Sequence, residues 1–271
     1  MSTAGLSSGL TELLEQGGLQ VAWHGPAGEP VVTVTLDRPQ TRNAQTPATW
    51  RAFAAVGDSL PAATRVVVLR GNGPVFSSGI DLRTFSPEGV DGERLLETIA
   101  SLDDAAAADL IDTFQHGFSW WHDRDDVITV AAVQGAAVGA GCQIALACDL
   151  RVIGPDARFA MRETSLGLVP DLTGTHPLVR AVGYGRALEM CATGRFVGAQ
   201  EAVAWGLATA VQDDLDAGVD QLVSALLAAP EASLRATKKV LRGALVHEAP
   251  EQRRFERETQ VGLLRGLLAA L

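Results

Sequence analysis

Lysine is almost missing from this chain of 271 residues, where only Lys238 and Lys239 occur, and 32 acids outweigh 22 basic residues to leave a formal charge of -10. With no basic run anywhere, the backbone of a nucleic acid would be repelled, and no nucleic-acid partner is expected. Cysteine is equally scarce. Cys142, Cys148 and Cys191 cannot all pair and make no C-x-x-C, so they read as small buried hydrophobes. The five histidines, His24, His116, His122, His176 and His247, offer no H-x-x-x-H, and a metal site has no support. No stretch supplies the roughly 20 uninterrupted apolar residues of a membrane span, and MSTAGLSSGLTELLEQGG lacks a basic region followed by an apolar one. A soluble cytoplasmic protein without membrane contact is expected.

With 47% hydrophobic residues the chain can bury one large domain, or a domain and an appendage. Residues 1–18, rich in Ser, Gly and Thr, read as a mobile lead-in. Leu19 to Trp23 and Val31 to Leu36 are strand-like, with HGPAGEP between them as a hairpin turn. Thr46-Pro47 is an N-cap with proline at the first helical position, opening a helix to about Ser59. Arg65 to Arg70 contains VVVL, a strand buried on both faces. Asp91 to Asp123 is helical, broken near Ser101 to Asp104 and at Gly117, and reads as a helix pair covering the core from solvent. Helices follow at Pro177–Val182, Gly185–Ala192 and Ala199–Trp205, then a short strand at Leu207–Val211. The last helices are expected near Asp216–Ala228, Ser233–Val246 and Pro250–Ala269. Alternating strands and helices imply an α/β fold with parallel sheet over 19–212, followed by a C-terminal helical region over 213–271. The apolar surface of the final helix suits burial against another subunit.

The stretch from Val127 to Pro155, VITVAAVQGAAVGAGCQIALACDLRVIGP, has the form strand, glycine turn, short helix, strand. Gly135, Gly139 and Gly141 let backbone bend and approach a ligand closely. The helix from Cys142 to Ala147 would aim unpaired N–H groups and the positive end of its dipole toward them. Such a turn either packs tightly or holds an anion.

VTLDRPQTRNAQ, VVVLRGNGPVFSSGIDL and VQGAAVGAGCQIALACDLRV, followed by FAMRETSLGLVPDLTGT, together resemble the enoyl-CoA hydratase/isomerase (crotonase) family from about Val21 to Val211. AQEAVAWGLATAV resembles that family's A-x-E-A-x-x-x-G-L-V segment. The resemblance implies a spiral of ββα units, a homotrimer or a hexamer of paired trimers, and an acyl-CoA thioester substrate, with coenzyme A part of the substrate and no separate cofactor. It implies an oxyanion hole of two backbone N–H groups, which by position are those of Ile80 and Ala140. Backbone around Ser78 to Leu82 would hold the adenine end of CoA, and Arg42 a phosphate.

Hydratases of that family present two carboxylates to one water, at the positions of Gln143 and Glu163. Gln143 is an amide and has no proton to exchange near neutral pH. Glu163 remains, with Asp171 eight residues on, where isomerases acting on dienoyl-CoA carry a carboxylate. Asp171 reads alternatively as a turn residue or an N-cap. Candidate catalytic residues are thus Glu163, Asp171 and Gln143, and double-bond isomerisation through a thioester enolate ranks ahead of hydration by a lyase. A non-catalytic acyl-CoA binder is the reading from another class. Serine hydrolysis is weaker, because Ser77 and Ser78 sit in no G-x-S-x-G elbow.

Overall fold

The computed structural model describes residues 8–23 and 30–269. Its strands follow the β-branched runs. β1 (Leu19–Trp23) pairs antiparallel with β2 (Val31–Leu36), in register from Leu19↔Leu36 to Trp23↔Val32. Of the turn expected over 24–30, residues 24–29 lie outside the described residues. β3 (Val66–Gly71) runs parallel to β2, and β4 (Ile128–Val133) parallel to β3. β5 (Ala136–Val138) follows in a loop, and β6 (Leu150–Ile153) returns beside β4. β7 (Arg158–Ala160), β8 (Val197–Gly198) and β9 (Ala210–Val211) are short. The main sheet has the order β1-β2-β3-β4-β6-β9, and β5-β7-β8 make a second, three-stranded sheet.

The lead-in expected at 1–18 is corrected over its described part. Ser8–Gly17 is a helix, α1, with Leu10 and Leu14 buried. Their i, i+4 spacing makes an apolar stripe that the Ser/Gly composition hides. It packs on α2 (Pro47–Ser59), so closely that a Cβ on Gly17 would come within 2.5 Å of Ala52 Cβ. α2 starts as its sequence requires, with Thr46 and Thr49 closing a capping box and Pro47 in the first turn. α3 (Leu95–Ala100) and α4 (Asp104–Asp123) are separated where expected, but Gly117 lies inside α4 and does not break it. Its role is a crossing: a Cβ there would come within 2.3 Å of the Trp50 carbonyl oxygen on α2. Nor is α4 merely a cover, since Phe114, Phe118, Trp120 and Trp121 are buried beneath it.

α5 (Ala140–Ala147) is buried at every residue. α6 (Thr175–Val182), α7 (Tyr184–Thr193) and α8 (Ala199–Trp205) follow, then α9 (Leu215–Ala228), α10 (Glu231–Gly243) and α11 (Ala249–Ala269). Alternate residues of the central strands serve two cores. Val67, Leu69, Ala131 and Val133 face the larger core that includes α2, α4 and α5. Val66, Val68, Ile128, Val130 and Ala132 face a smaller one closed by Val219 of α9. Burial on both faces is why VVVL shows no polar alternation. α10 is fastened by Lys238, whose buried Nζ donates to Val127 O (2.8 Å) and to Asp149 Oδ2 (2.7 Å). Such a buried pair costs desolvation, which the hydrogen bonds to both partners offset. Among the described residues no helix is long and apolar enough to cross a membrane.

Candidate active site

Two loops leave the C-terminal ends of neighbouring parallel strands, one after β3 and one after β4, where an α/β sheet opens its crevice. They zip together. Phe76 N–H donates to Gln134 O (2.9 Å), Ser77 N–H to Ala136 O (3.0 Å), and Val138 N–H to Ser77 O (3.0 Å). Gly79 (φ 90°) and Gly139 (φ 51°) then turn both chains in a way that side-chain-bearing residues rarely tolerate. A Cβ on Gly79 would come within 2.6 Å of Val138 O and 3.6 Å of Ala140 N. This closeness sets Ile80 and Ala140 on the wall of one cleft of about 520 Å³. Neither N–H donates to a protein acceptor among the described residues. The first turn of α5 begins at Ala140 and adds the positive end of its dipole there.

The loop carrying Ile80 is held by the DRPQTRNAQ segment. Gln45 N–H donates to Gly79 O (2.8 Å), and Asp81 N–H to Gln45 O (2.7 Å). Ser77 Oγ donates to Asn43 O (2.8 Å), and Asn43 Nδ2 donates to Asn72 O and Val75 O. Four backbone groups of the loop are satisfied in this way, which fixes the donor at Ile80 before any ligand arrives.

Gln143 leaves α5 into the same cleft with its amide bonded at both ends. Nε2 donates to Glu163 Oε1 (2.8 Å), while Oε1 accepts from Leu172 N–H (2.9 Å) and Gly174 N–H (3.2 Å). Gly174 makes room for it, since a Cβ there would come within 2.6 Å of Gln143 Cγ. Glu163 opens a 3₁₀ turn, Glu163–Leu166, and is 8% exposed; its Oε2 has no hydrogen-bond partner among the described residues. Burial pushes the Glu163 carboxyl above its ordinary range; the Gln143 N–H pulls it back in part, and the charge of Asp171 adds to the rise. A carboxyl raised this way loses stability for the fold as pH climbs from the ordinary Glu range through its folded value, because the unfolded chain releases the proton first. Asp171 lines the cleft too. It is exposed at the residue level, yet its carboxyl is raised by partial desolvation, and its backbone oxygen accepts from Gln115 Nε2 (2.5 Å). It does not cap α6, whose N-cap is Gly174 without a side-chain bond.

Seven of the residues singled out in the sequence therefore meet on one cleft: Ile80, Ala140, Gln143, Glu163, Asp171, Ser78 and Leu82. Arg42 is apart from them. It sits exposed in a left-handed turn (φ 56°) and touches the site only through its carbonyl, which accepts from Ser78 N–H (2.9 Å). Phe85, Leu95, Ile99, Ile111 and Phe114 make an apolar wall with Trp50, and Arg162 stands at the rim. Trp50 and Gln45 were not read as site residues. Their one signal is local: a tryptophan and a buried amide in and before an otherwise alanine-rich helix. Among the described residues no group of three His, Cys, Asp or Glu could hold a metal ion. Chemically, the cleft offers two fixed N–H donors for a developing anion, one desolvated carboxyl with a free oxygen, and a second carboxyl on the same wall.

The sequence profile of a family described as enoyl-CoA hydratase/isomerase matches residues 27–264. A structure from Thermobifida fusca YX, described as a proposed enoyl-CoA hydratase, is similar with a TM-score of 0.90 at 44% identity, over 100% of both chains. Another from that organism, described likewise and in complex with acetoacetyl-CoA, gives 0.88 at 45% identity over 94% of this chain and 98% of that one. The 2,3-dehydroadipyl-CoA hydratase of Escherichia coli (strain K12) is 34% identical over 218 residues, 78% of either chain.

Gln143→Leu removes the N–H that lowers Glu163 and orphans two backbone donors. In a carbon-13 NMR titration of labelled glutamate, the Glu163 midpoint is expected to move to higher pH, and denaturation should show a loss of about 1–3 kcal/mol. An unmoved or lower midpoint would show that the amide does not govern this carboxyl.

Proposed function

The chain belongs to the enoyl-CoA hydratase/isomerase family, and on that premise we propose that its cleft binds an acyl-CoA thioester and shifts a double bond along the acyl chain through an enolate. The thioester oxygen lies against the N–H groups of Ile80 and Ala140, with CoA along Ser78 to Leu82 and its phosphates toward Arg42. Glu163, ionised, takes a proton from C2 of a 3-enoyl chain through its free Oε2. The negative charge spreads from C2 through the double bond to C4 and onto the thioester oxygen, where the two fixed donors stabilise it. Asp171, protonated, returns a proton at C4, leaving a 2-enoyl thioester. Glu163 then holds the proton that Asp171 has lost, and exchange through water resets the pair. A carboxyl with a raised pKa suits both duties, since base and acid forms must each be accessible near the working pH.

The observation that carries this reading is the Gln143 amide, bonded to Glu163 on one side and to two backbone N–H groups on the other. It has no proton to give, so the second acid needed to add water beside Glu163 is missing at that position. Serine hydrolysis loses support as well, because Ser77 Oγ is buried and donates to Asn43 O. The second reading is hydration with Glu163 alone activating water, favoured by the hydratase names of the relatives. We also propose that copies associate as trimers or paired trimers, burying Val261, Leu264, Leu267 and Leu268 of α11, which are exposed in the single chain; a monomer mass in solution would overturn it.

Assays with 3-enoyl-, 3,5-dienoyl- and 2-enoyl-CoA separate the two reactions. Isomerisation of the 3-enoyl or dienoyl substrate should exceed hydration of crotonyl-CoA. Glu163→Gln should lower kcat by at least about 10³-fold and Asp171→Asn by about 10²-fold, within the usual range for acid–base groups. Gln143→Glu, which supplies the second acid, should create hydration. Efficient hydration of crotonyl-CoA by the unaltered protein would reverse the ranking, and an Asp171→Asn variant of full activity would remove that residue from the reaction.

A further inference from the structure

The lining of the cleft divides into exposed and buried residues. Leu82, Leu96, Leu166 and Leu168 are 44–56% exposed, whereas Trp50 and Phe114 are each 3% exposed. Trp50 is fixed on several sides. Its indole N–H donates to Gln45 Oε1 (3.0 Å), and its ring meets Phe114 edge-on, with 5.0 Å between centroids, and Phe118 at 6.2 Å. Behind it, α4 crosses at Gly117 with no space for a Cβ. Gln45 is fixed in turn: it is wholly buried, and its Nε2 donates to Ser77 Oγ (3.1 Å). One amide therefore ties the buried part of the lining to the loop that carries Ile80.

We propose that the Trp50 indole, keyed into place by Gln45, is the stop that sets how long an acyl chain this cleft accepts, and that the accepted chain is uncharged at its far end. The inference rests on the reading of the cleft as an acyl-thioester site. A chain that reaches the indole cannot push it aside without breaking a buried hydrogen bond and two ring contacts, so each further methylene overpacks a closed wall. A terminal carboxylate there would be desolvated. Among the described residues the one cation lining the cleft is Arg162, which is exposed. The indole N–H that could have served a carboxylate is already committed to Gln45.

Saturated acyl-CoAs, from butyryl- to palmitoyl-CoA, can be titrated calorimetrically into the full chain and into Trp50→Leu, Trp50→Phe and Gln45→Leu. For the unaltered protein, affinity should rise with length and then break. Trp50→Leu should move the break about two carbons longer or more, and tighten the first excluded chain at least about tenfold, the scale a methylene carries in an apolar pocket. Trp50→Phe keeps a ring against Phe114, so it should give a smaller shift of the same sign and stays informative where leucine unfolds the chain. Gln45→Leu should blur the break in that direction. Adipyl-CoA should bind at least about tenfold more weakly than hexanoyl-CoA. A break that stays put in folded Trp50 variants, or adipyl-CoA bound as tightly as hexanoyl-CoA, would overturn the inference. Failure of every acyl-CoA to bind the unaltered protein would remove the reading of the cleft itself, and this inference with it.

Discussion

One primary amide joins three of the segments that meet at the cleft. Gln143 comes from α5, Glu163 from the turn after β7, and Leu172 and Gly174 from the loop before α6, and three hydrogen bonds draw them together. The two backbone N–H groups can only donate, so the oxygen of the amide must face them and its nitrogen must face Glu163. That fixes the carboxyl as acceptor on Oε1 and leaves Oε2 as the atom with nothing to bond among the described residues. Rotating the amide would strand two buried donors and set its oxygen against a carboxylate, at about 1–3 kcal/mol for each unpaired group. The side chain that stands where relatives carry an acid is thus a clamp on the Glu163 carboxyl.

Around this clamp the site combines two kinds of preorganisation. The anion donors are backbone, set by the ladder between the loops after β3 and β4 and by the glycines that let those loops touch. They are unable to drift, which is what charge stabilisation requires. The proposed proton carrier is a side chain whose titration is set by opposed effects: burial raises Glu163, while its own backbone N–H and then the Gln143 N–H restrain the rise. The net result is a carboxyl held above its ordinary range. Trp50 and Phe114, packed edge to face and each 3% exposed, supply the buried part of the apolar wall.

Much of this was legible in the sequence where a local rule had no competitor. VVVL and ITVAAV show unbroken apolar character because both faces of those strands are buried, and Thr46-Pro47 opens α2 by capping chemistry alone. The glycine turn from Gly135 to Gly141 and FSSGID could be aligned by resemblance with the family's proposed anion-donor segments because backbone donors depend on position, not on side chains. Three features escaped for a physical reason. Gly117 carries the ordinary signal of a helix break, but its cause is the close approach of α2, a contact far away in sequence. The stripe of Leu10 and Leu14 is too short to outweigh the Ser/Gly composition around it, although packing on α2 is enough to make it a helix. Trp50 gave no motif, because what makes it line the cleft is the crossing of α4 over α2; Gln45 closes the segment VTLDRPQTRNAQ, but its bond to the Trp50 indole cannot be read from that segment.

Exchange at the acyl α-carbon tests most directly whether Glu163, clamped by Gln143, is the proton carrier. Butyryl-CoA has no double bond to move or hydrate, so only enolate formation at C2 can replace its α-protons with deuterium in heavy water. Followed by proton NMR, the exchange should be rapid with the unaltered protein, absent in Glu163→Gln and retained in Gln143→Leu with its pH dependence moved upward. Exchange that persists in Glu163→Gln at the unaltered rate would contradict it.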